Sequence, residues 1–395
     1  MGEEPLTGKK SAPRVFFYVQ HLLGIGHIAR ASRVAAALVA DGFDVTMVTG
    51  GTPVPGFPGE GIRHIELPPI AVSDGSFSGL VDATGQPVDD TFKDNRASML
   101  LGAYQGTRPD IVIIEAFPFG RRQVRFELMP LLSAIEYSAE RPLVMTSLRD
   151  ILQERAKPGR DEETITLVKK HFDAVLVHGD PKFVRLEDTF PLADKISQRV
   201  IYTGLVAPAK PSPPQERFDV VVSAGGGAVG SALIRAALDA APKIDRVKSW
   251  CLITGPNMPK ADFEEISAQA GDGVSIFRFR KDFASLLSGA QLSISQAGYN
   301  TVCDILQAKC RSLLIPFAAG GETEQGARAS RLAKLGLAYV LEESAISPDT
   351  MARSIDASLD LPEPDRVDLD LDGAQGTAKI LRRLYDEREF DRLNI

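Results

Sequence analysis

Residues 294–325 read ISQAGYNTVCDILQAKCRSLLIPFAAGGETEQ, and the fold turns on this stretch. Ile294, with Leu292 just before it, belongs to an apolar run that reads as a buried strand. Gly298 supplies a turn, and Thr301 to Ala308 carry apolar positions at helical spacing. Leu313 to Pro316 is a second strand, and a loop containing Gly320 and Gly321 leads to Glu322, Glu324 and Gln325. A glycine turn feeding a helix start leaves backbone N–H groups unpaired at one spot, with the helix dipole behind them. That geometry suits a phosphate. Carboxylates and an amide on the next loop bind hydroxyls, as on ribose or a hexose. A diphosphate joined to polyol hydroxyls describes a nucleotide sugar.

The motifs AGYNTVCD, LLIPF and ETEQGARA resemble the donor-binding half of GT-B glycosyltransferases, nearest to the peptidoglycan N-acetylglucosaminyltransferase clan of family 28. The likeness extends over most of the chain as a pattern and is sharp only in these short motifs. It implies that Asp304 holds the ribose hydroxyls and that Glu324 and Gln325 meet the donor sugar. The sequence has Asp304 where the nearest relatives carry Glu, and Arg328 where many carry Asn. The implied architecture is α/β, with two Rossmann-like βαβ domains facing each other across a cleft.

Composition agrees with two domains. At 395 residues the chain exceeds one ordinary domain, and 44% apolar with 25% charged residues is usual for a globular protein. A net charge of −7 argues against nucleic acid as a partner. No apolar run reaches the length of a membrane span. Cys251, Cys303 and Cys310 have no paired spacing and read as buried thiols of a reducing cytoplasm.

Taken in order, residues 1–13 are polar and read as a disordered tail. Residues 14–205 form the first, acceptor-side domain. Arg14 to Gln20 is its first strand, followed by a loop with Gly24 and Gly26, then His27. Ile28, Ala31, Ala35 and Leu38 share one helical face, with Arg30 and Arg33 on the other. A dinucleotide site fails here, because no third glycine follows and no acidic residue ends the second strand. The GxGH form resembles the N-domain loop of GT-B enzymes and of nucleotide-sugar hydrolases. Residues 52–109 hold five prolines between 53 and 69 and read as irregular loop bordering a site. Ile111 to Ile114 is a strand ending in Glu115; further strands end near Arg149-Asp150 and Gly179-Asp180. A Pro-rich linker spans 206–217, and the second, nucleotide-sugar domain spans 218–365, beginning with a strand and Gly225, Gly226 and Gly227. Residues 366–395 hold a C-terminal helix over Ala378–Asp386. The Asp368, Asp370, Asp372 run has Lys379 where a calcium loop carries a glutamate as its twelfth residue, so it fails as a calcium loop and reads as a polar turn.

The candidate site follows. Gly225, Gly226, Gly227 and Gly298 are placed against the diphosphate, with Asn300, Thr301, Asp304, Glu324 and Gln325 on the rest of the donor. Gly24, Gly26 and Glu115 lie on the acceptor side. His27, at a helix N-terminus that keeps it neutral, suits a general base. No metal and no cofactor beyond the nucleotide-sugar co-substrate are expected. The acceptor stays open between a glycan, a lipid-linked molecule and a small molecule. Two alternatives remain: a nucleotide-sugar hydrolase and a non-catalytic nucleotide-sugar sensor. Val124, Leu128, Leu131, Leu132 and Ile135 form a helical stripe behind Arg121, Arg122 and Arg125. Such a helix can rest on the inner face of a membrane or pack on its own sheet, so the expected location is cytoplasmic with optional peripheral contact.

Overall fold

The structure is a computed structural model that describes residues 12–22, 24–72, 79–153, 158–225, 230–255, 258–364 and 368–393. Strands β1 (Arg14–Val19), β2 (Asp44–Thr49), β3 (Arg63–Glu66), β6 (Ile111–Glu115), β7 (Leu143–Arg149), β8 (Ala174–His178) and β9 (Val200–Tyr202) form a parallel sheet. Its order is β3-β2-β1-β6-β7-β8-β9, and β4 (Ala71–Val72) pairs separately with β5 (Leu80–Val81). The second sheet runs β12-β11-β10-β13-β14-β15. It joins β10 (Val220–Ser223), β11 (Trp250–Ile253), β12 (Val274–Phe277), β13 (Leu292–Ser295), β14 (Ser312–Leu314) and β15 (Tyr339–Val340), also all parallel. Helices α1 (Gly26–Ala40), α2 (Asp90–Thr107), α3 (Arg125–Glu136) and α4 (Arg160–His171) cover the first sheet. Helices α5 (Ser231–Ala240), α6 (Lys260–Ala268), α7 (Phe283–Gly289), α8 (Tyr299–Ala308), α9 (Glu324–Lys334) and α10 (Pro348–Leu359) accompany the second, and α11 (Gly373–Leu393) follows.

Parallel strands are buried on both faces, so they read as unbroken apolar runs such as VFFYV and IVII. In β1 the two faces still divide. Val15, Phe17 and Val19 pack with Ile28, Ala35 and Leu38 of α1, while Phe16 and Tyr18 pack with α2 and α3. The first of these clusters runs on without a gap into Tyr299, Val302 and Cys303 of α8, so the apolar core crosses from one sheet to the other.

The chain leaves the first sheet at Leu205 and returns beside the same point. Leu205 N donates to Asp370 O, and Gly373 N donates to Leu205 O. Gly204 has φ +91°, and a Cβ there would stand 2.6 Å from the Asp370 carboxyl carbon. The acidic run is thus part of this crossing: Asp370 N donates to Asp180 Oδ2, and Asp368 pairs with Lys182. Helix α11 is longer than residues 378–386 and packs on α1, with Arg382 bonded to Asp41 and stacked on Phe43.

One expectation is corrected, and one alternative left open is decided. Residues 52–109 are not continuous loop, because they hold β3, the β4–β5 pair and the 18-residue α2. Helix α2 has almost no apolar face. It buries Arg96, Leu100 and Tyr104, four residues apart, and is capped by Asp89 accepting from Phe92 N. The α3 stripe offers nothing to a membrane: Leu128, Leu131, Leu132 and Ile135, with Val124 just ahead of it, are at most 1% exposed in the sheet-side core. Arg122 and Arg125 both pair with Glu163. Among the described residues, no helix is long and apolar enough to cross a membrane.

Arg96 holds α2 in place. Its guanidinium is wholly buried and bonds Glu127, Gln20 Oε1 at 2.5 Å and the Gly50 carbonyl at 3.1 Å. Arg96→Met therefore leaves Glu127 buried without its counter-charge and should cost roughly 3–5 kcal/mol in urea denaturation. A loss under ~1 kcal/mol would show that α2 does not depend on the pair.

Candidate functional site

The C-terminal ends of the two sheets face one another, as ligand sites require in such folds. On the first sheet, α1 begins at Gly26 with Ile25 as its N-cap, which offers no side-chain acceptor. His27 sits in this first turn, its side chain 17% exposed. Its Nδ1 lies 3.0 Å from Oε1 of Glu115, the last residue of β6. Glu115 is fully buried. Arg30, one turn along α1, pairs with the same oxygen, and Ser147 Oγ donates to Oε2 at 2.6 Å. Ser147 Oγ lies 2.9 Å from His178 Nε2, and His178 Nδ1 lies 2.8 Å from Thr203 Oγ1.

Charge assigns the protons. Burial works to raise the Glu115 carboxyl, but Arg30, His27 and Ser147 outweigh it and hold the group well below the usual carboxylate range. Burial, aided by the nearby Arg121 cation, lowers His27 to about 3. Burial, aided by Arg30, likewise lowers His178 to about 3. An ionised Glu115 beside a neutral His27 requires Nδ1–H to donate, which leaves Nε2 with a bare lone pair. Ser147 spends its one proton on Glu115, so His178 Nε2–H donates to Ser147 and Thr203 donates to His178 Nδ1. Every link in the chain donates toward Glu115.

On the second sheet, Gly298 caps α8 without a side-chain bond, and a Cβ there would meet nothing within 4 Å. The first-turn N–H groups of α8 lack a side-chain acceptor, and an anion can approach them closely. Gly225 has φ +75°, the left-handed turn that β10 needs at its end. Gly226 and Gly227 lie outside the described residues. Asn300 Nδ2 donates to Gly26 O at 3.1 Å, so α8 and the Gly24–Gly26 loop touch. Thr301 is half-buried in the same first turn.

The carboxylates of this side are already engaged. Asp304 Oδ1 accepts from Arg33 of α1 at 2.8 Å. Glu324 is not on an exposed loop: it starts α9, is 3% exposed, and pairs with Arg149 at the end of β7 and with Arg328 at 2.6 Å. Arg328 also grips both oxygens of Asp150, at 2.9 and 2.6 Å. Gln325 Oε1 accepts from Ala297 N at 3.0 Å and Phe317 N at 3.2 Å, joining the loops that follow β13 and β14. Tyr299 fixes α8 to the first sheet, its hydroxyl donating to His178 O and accepting from Val206 N.

The structure brings His27, Glu115 and Asn300 together where the two sheets meet and joins Asp304 to α1, through contacts that the sequence did not reveal. Arg30 and Arg33 lie on the flank of α1 turned to the second domain, not to solvent. His178, the last residue of β8, also sits in the Glu115 chain. Ser147, Arg149, Asp150 and His178 all fall at the last turn of β7 or β8 or just beyond it. A polar residue ending an apolar parallel strand was the available signal.

Residues 220–366 match the glycosyltransferase family 28 C-terminal domain. The chain is 29% identical over 174 residues to UDP-N-acetylglucosamine--N-acetylmuramyl-(pentapeptide) pyrophosphoryl-undecaprenol N-acetylglucosamine transferase of Brucella anthropi, spanning 43% of this chain and 45% of that one. The Rhizobium johnstonii protein of the same name is 32% identical over 168 residues, 41% and 44% of the two chains. The matched stretches span less than half of these relatives. Among solved structures, Acinetobacter baumannii MurG superposes with TM-score 0.61 at 15% identity, covering 94% of this chain and 100% of that one. The calicheamicin glycosyltransferase CalG4 superposes with TM-score 0.59 at 15% identity, covering 95% and 98%. The chain thus has the GT-B fold and resembles glycosyltransferase family 28 most clearly in its second half.

The neutral state of His27 is directly measurable. Its folded value of about 3 lies below the ordinary 6.5, so the unfolded chain gains this proton first as pH falls. The stability contribution is complete above 6.5 and is lost between 6.5 and about 3, with His178 adding in the same sense. Nitrogen-15 NMR of labelled histidine should show His27 as the Nδ1–H tautomer, with no titration between about pH 5 and 8. A midpoint near 6.5 would contradict the buried, Glu115-bonded ring.

Proposed function

We propose that this chain is a glycosyltransferase that moves a sugar from a UDP-sugar to a hydroxyl acceptor with inversion, using His27 as general base and no metal. The observation that carries this reading is the neutral His27, oriented by ionised Glu115 and bonded across the gap through Gly26 to the uncapped start of α8. The family match falls on residues 220–366, the half that holds α8, Asp304 and Gln325. It therefore supports the donor class that the relatives' names carry and leaves the acceptor open among a glycan, a lipid-linked molecule and a small molecule.

The chemistry follows from the placement. Nε2 of His27 takes the acceptor hydroxyl proton as the oxygen attacks the anomeric carbon from the face opposite the diphosphate. The bond from that carbon to the β-phosphate oxygen breaks, and its electron pair leaves with the diphosphate. Backbone N–H groups at the start of α8, with the turn beginning at Gly225, hold the developing charge. Burial and Arg121 make His27 a weak base; the diphosphate of a bound donor acts in the opposite sense and raises its basicity. Asp304 takes ribose hydroxyls, and Glu324 with Gln325 border the sugar.

A positioned base is worth about 10²–10⁴ in rate. His27→Asn, which keeps a donor near the Nδ1 position but has no basic nitrogen, should lower turnover by that order while leaving UDP binding within about twofold. Near-native turnover with saturating acceptor would move the base elsewhere. A panel of UDP- and dTDP-sugars identifies the reaction: slow nucleotide release without acceptor fits transfer, fast release fits hydrolysis, and binding without release fits a sensor. Turnover that survives EDTA supports metal independence, and loss restored by a divalent ion would overturn it.

A further inference from the structure

Arg33 belongs to the first domain, yet its guanidinium ends on the carboxylate read as the ribose holder of the second. It stands three residues after Arg30 and six after His27, on the flank of α1 that faces α8. One amino group donates to Asp304 Oδ1 at 2.8 Å, and the other donates to the Val206 carbonyl at 3.2 Å, where the interdomain linker begins. This second bond fixes the guanidinium from the linker side, so the pair does not depend on one flexible contact. Asp304 is mostly buried, its side chain 15% exposed. Among the described residues, no hydrogen bond is made to its other oxygen, Oδ2. A carboxylate has about four acceptor positions, so one oxygen can hold an arginine while the other takes hydroxyls.

We propose that Arg33 is a positioning residue for the donor, contributed by the opposite domain: it occupies Oδ1 of Asp304, keeps that carboxylate charged, and leaves Oδ2 to accept the ribose hydroxyls. This rests on the reading of Asp304 as the ribose carboxylate. The consequence is that the donor site is complete only when the two domains are together, because the charge that tunes it comes from α1.

The electrostatics agree. Burial pushes the Asp304 carboxyl up, and Arg33 is the group that opposes it, by charge and by hydrogen bond. Among the described residues, Arg33 is the one group that opposes burial at Asp304. Cys303, beside it on α8, is held at about 12 by burial and is uncharged, and the linker contributes a backbone carbonyl to Arg33. Without Arg33, burial acts alone and the carboxyl takes its proton at higher pH. A protonated carboxyl forfeits the charge-assisted bonds to both hydroxyls.

Calorimetry with UDP and 2′-deoxy-UDP on the intact protein tests this, using wild type, Asp304→Asn, Arg33→Met and Arg33→Lys. The wild type should prefer UDP by roughly tenfold to a hundredfold, the size of one or two charge-assisted bonds. Asp304→Asn should lose most of that preference, and Arg33→Met should lose it as well. Arg33→Lys, which restores the charge, should recover part of it. In Arg33→Met, UDP affinity should also weaken as pH falls through a range where the wild type is flat. The inference is overturned if Arg33→Met keeps the wild-type preference, whether its affinity is unchanged or falls equally for both nucleotides. If Asp304→Asn also keeps the preference, the reading of Asp304 falls and takes the inference with it. A changed preference in Asp304→Asn alone overturns only the role of Arg33.

Discussion

A carboxylate buried at the end of β6 sets the terms for the rest of the site. Glu115 has no contact with water, and an isolated ion there would cost several kcal/mol. The fold meets this with three partners from two elements: His27 and Arg30 from α1, and Ser147 from β7. Those bonds fix the rotation of α1 about its axis, the tautomer of His27 and, through Ser147, the orientation of His178. Removing any one partner leaves the charge underpaired, so the arrangement is specified as a unit.

The same arginine that neutralises Glu115 also begins the contact between domains. The Arg30 guanidinium lies 5.2 Å from the ring centre of Tyr299, and that of Arg328 lies 5.7 Å from it. Tyr299 opens α8, so the first turn of this helix is held between two cations. Around it the gap is bridged by charge pairs, Arg33 with Asp304, Arg149 with Glu324 and Arg328 with Asp150. The carboxylates at this junction are thus held in place by arginines, and all three pairs cross between the sheets. This has a physical logic: a buried carboxylate remains a good hydroxyl acceptor only if something keeps it ionised. Gln325 differs in that its Oε1 accepts from two backbone N–H groups and so ties together the loops that follow β13 and β14.

Much of this was legible in the sequence. Apolar parallel strands announce themselves as runs without alternation, so β1, β6, β8 and β13 were found within a residue or two. His27 was found because a glycine loop follows β1, and Glu115 because a single acid ends IVII. What the sequence hid was pairing across long separations. Arg33 and Asp304 are 271 positions apart, and nothing local in either motif ties one to the other. Helix α2 was hidden for another reason. Its buried face is led by Arg96, whose cost of burial is met by Glu127 on α3, so its pattern looks polar until the partner is known. The reading of Glu324 as a loop residue failed in the same way, because its two arginine partners come from β7 and from one turn further along α9.

The central claim is that buried Glu115, by orienting a neutral His27, makes a base at the meeting of two sheets. Glu115→Gln tests it most directly, because the amide keeps the size and removes the charge. Turnover should fall by about 10² or more while UDP affinity stays within about twofold, and the histidine NMR should show the Nδ1–H tautomer no longer enforced. Wild-type turnover in Glu115→Gln, with the His27 ring unchanged, would contradict the account.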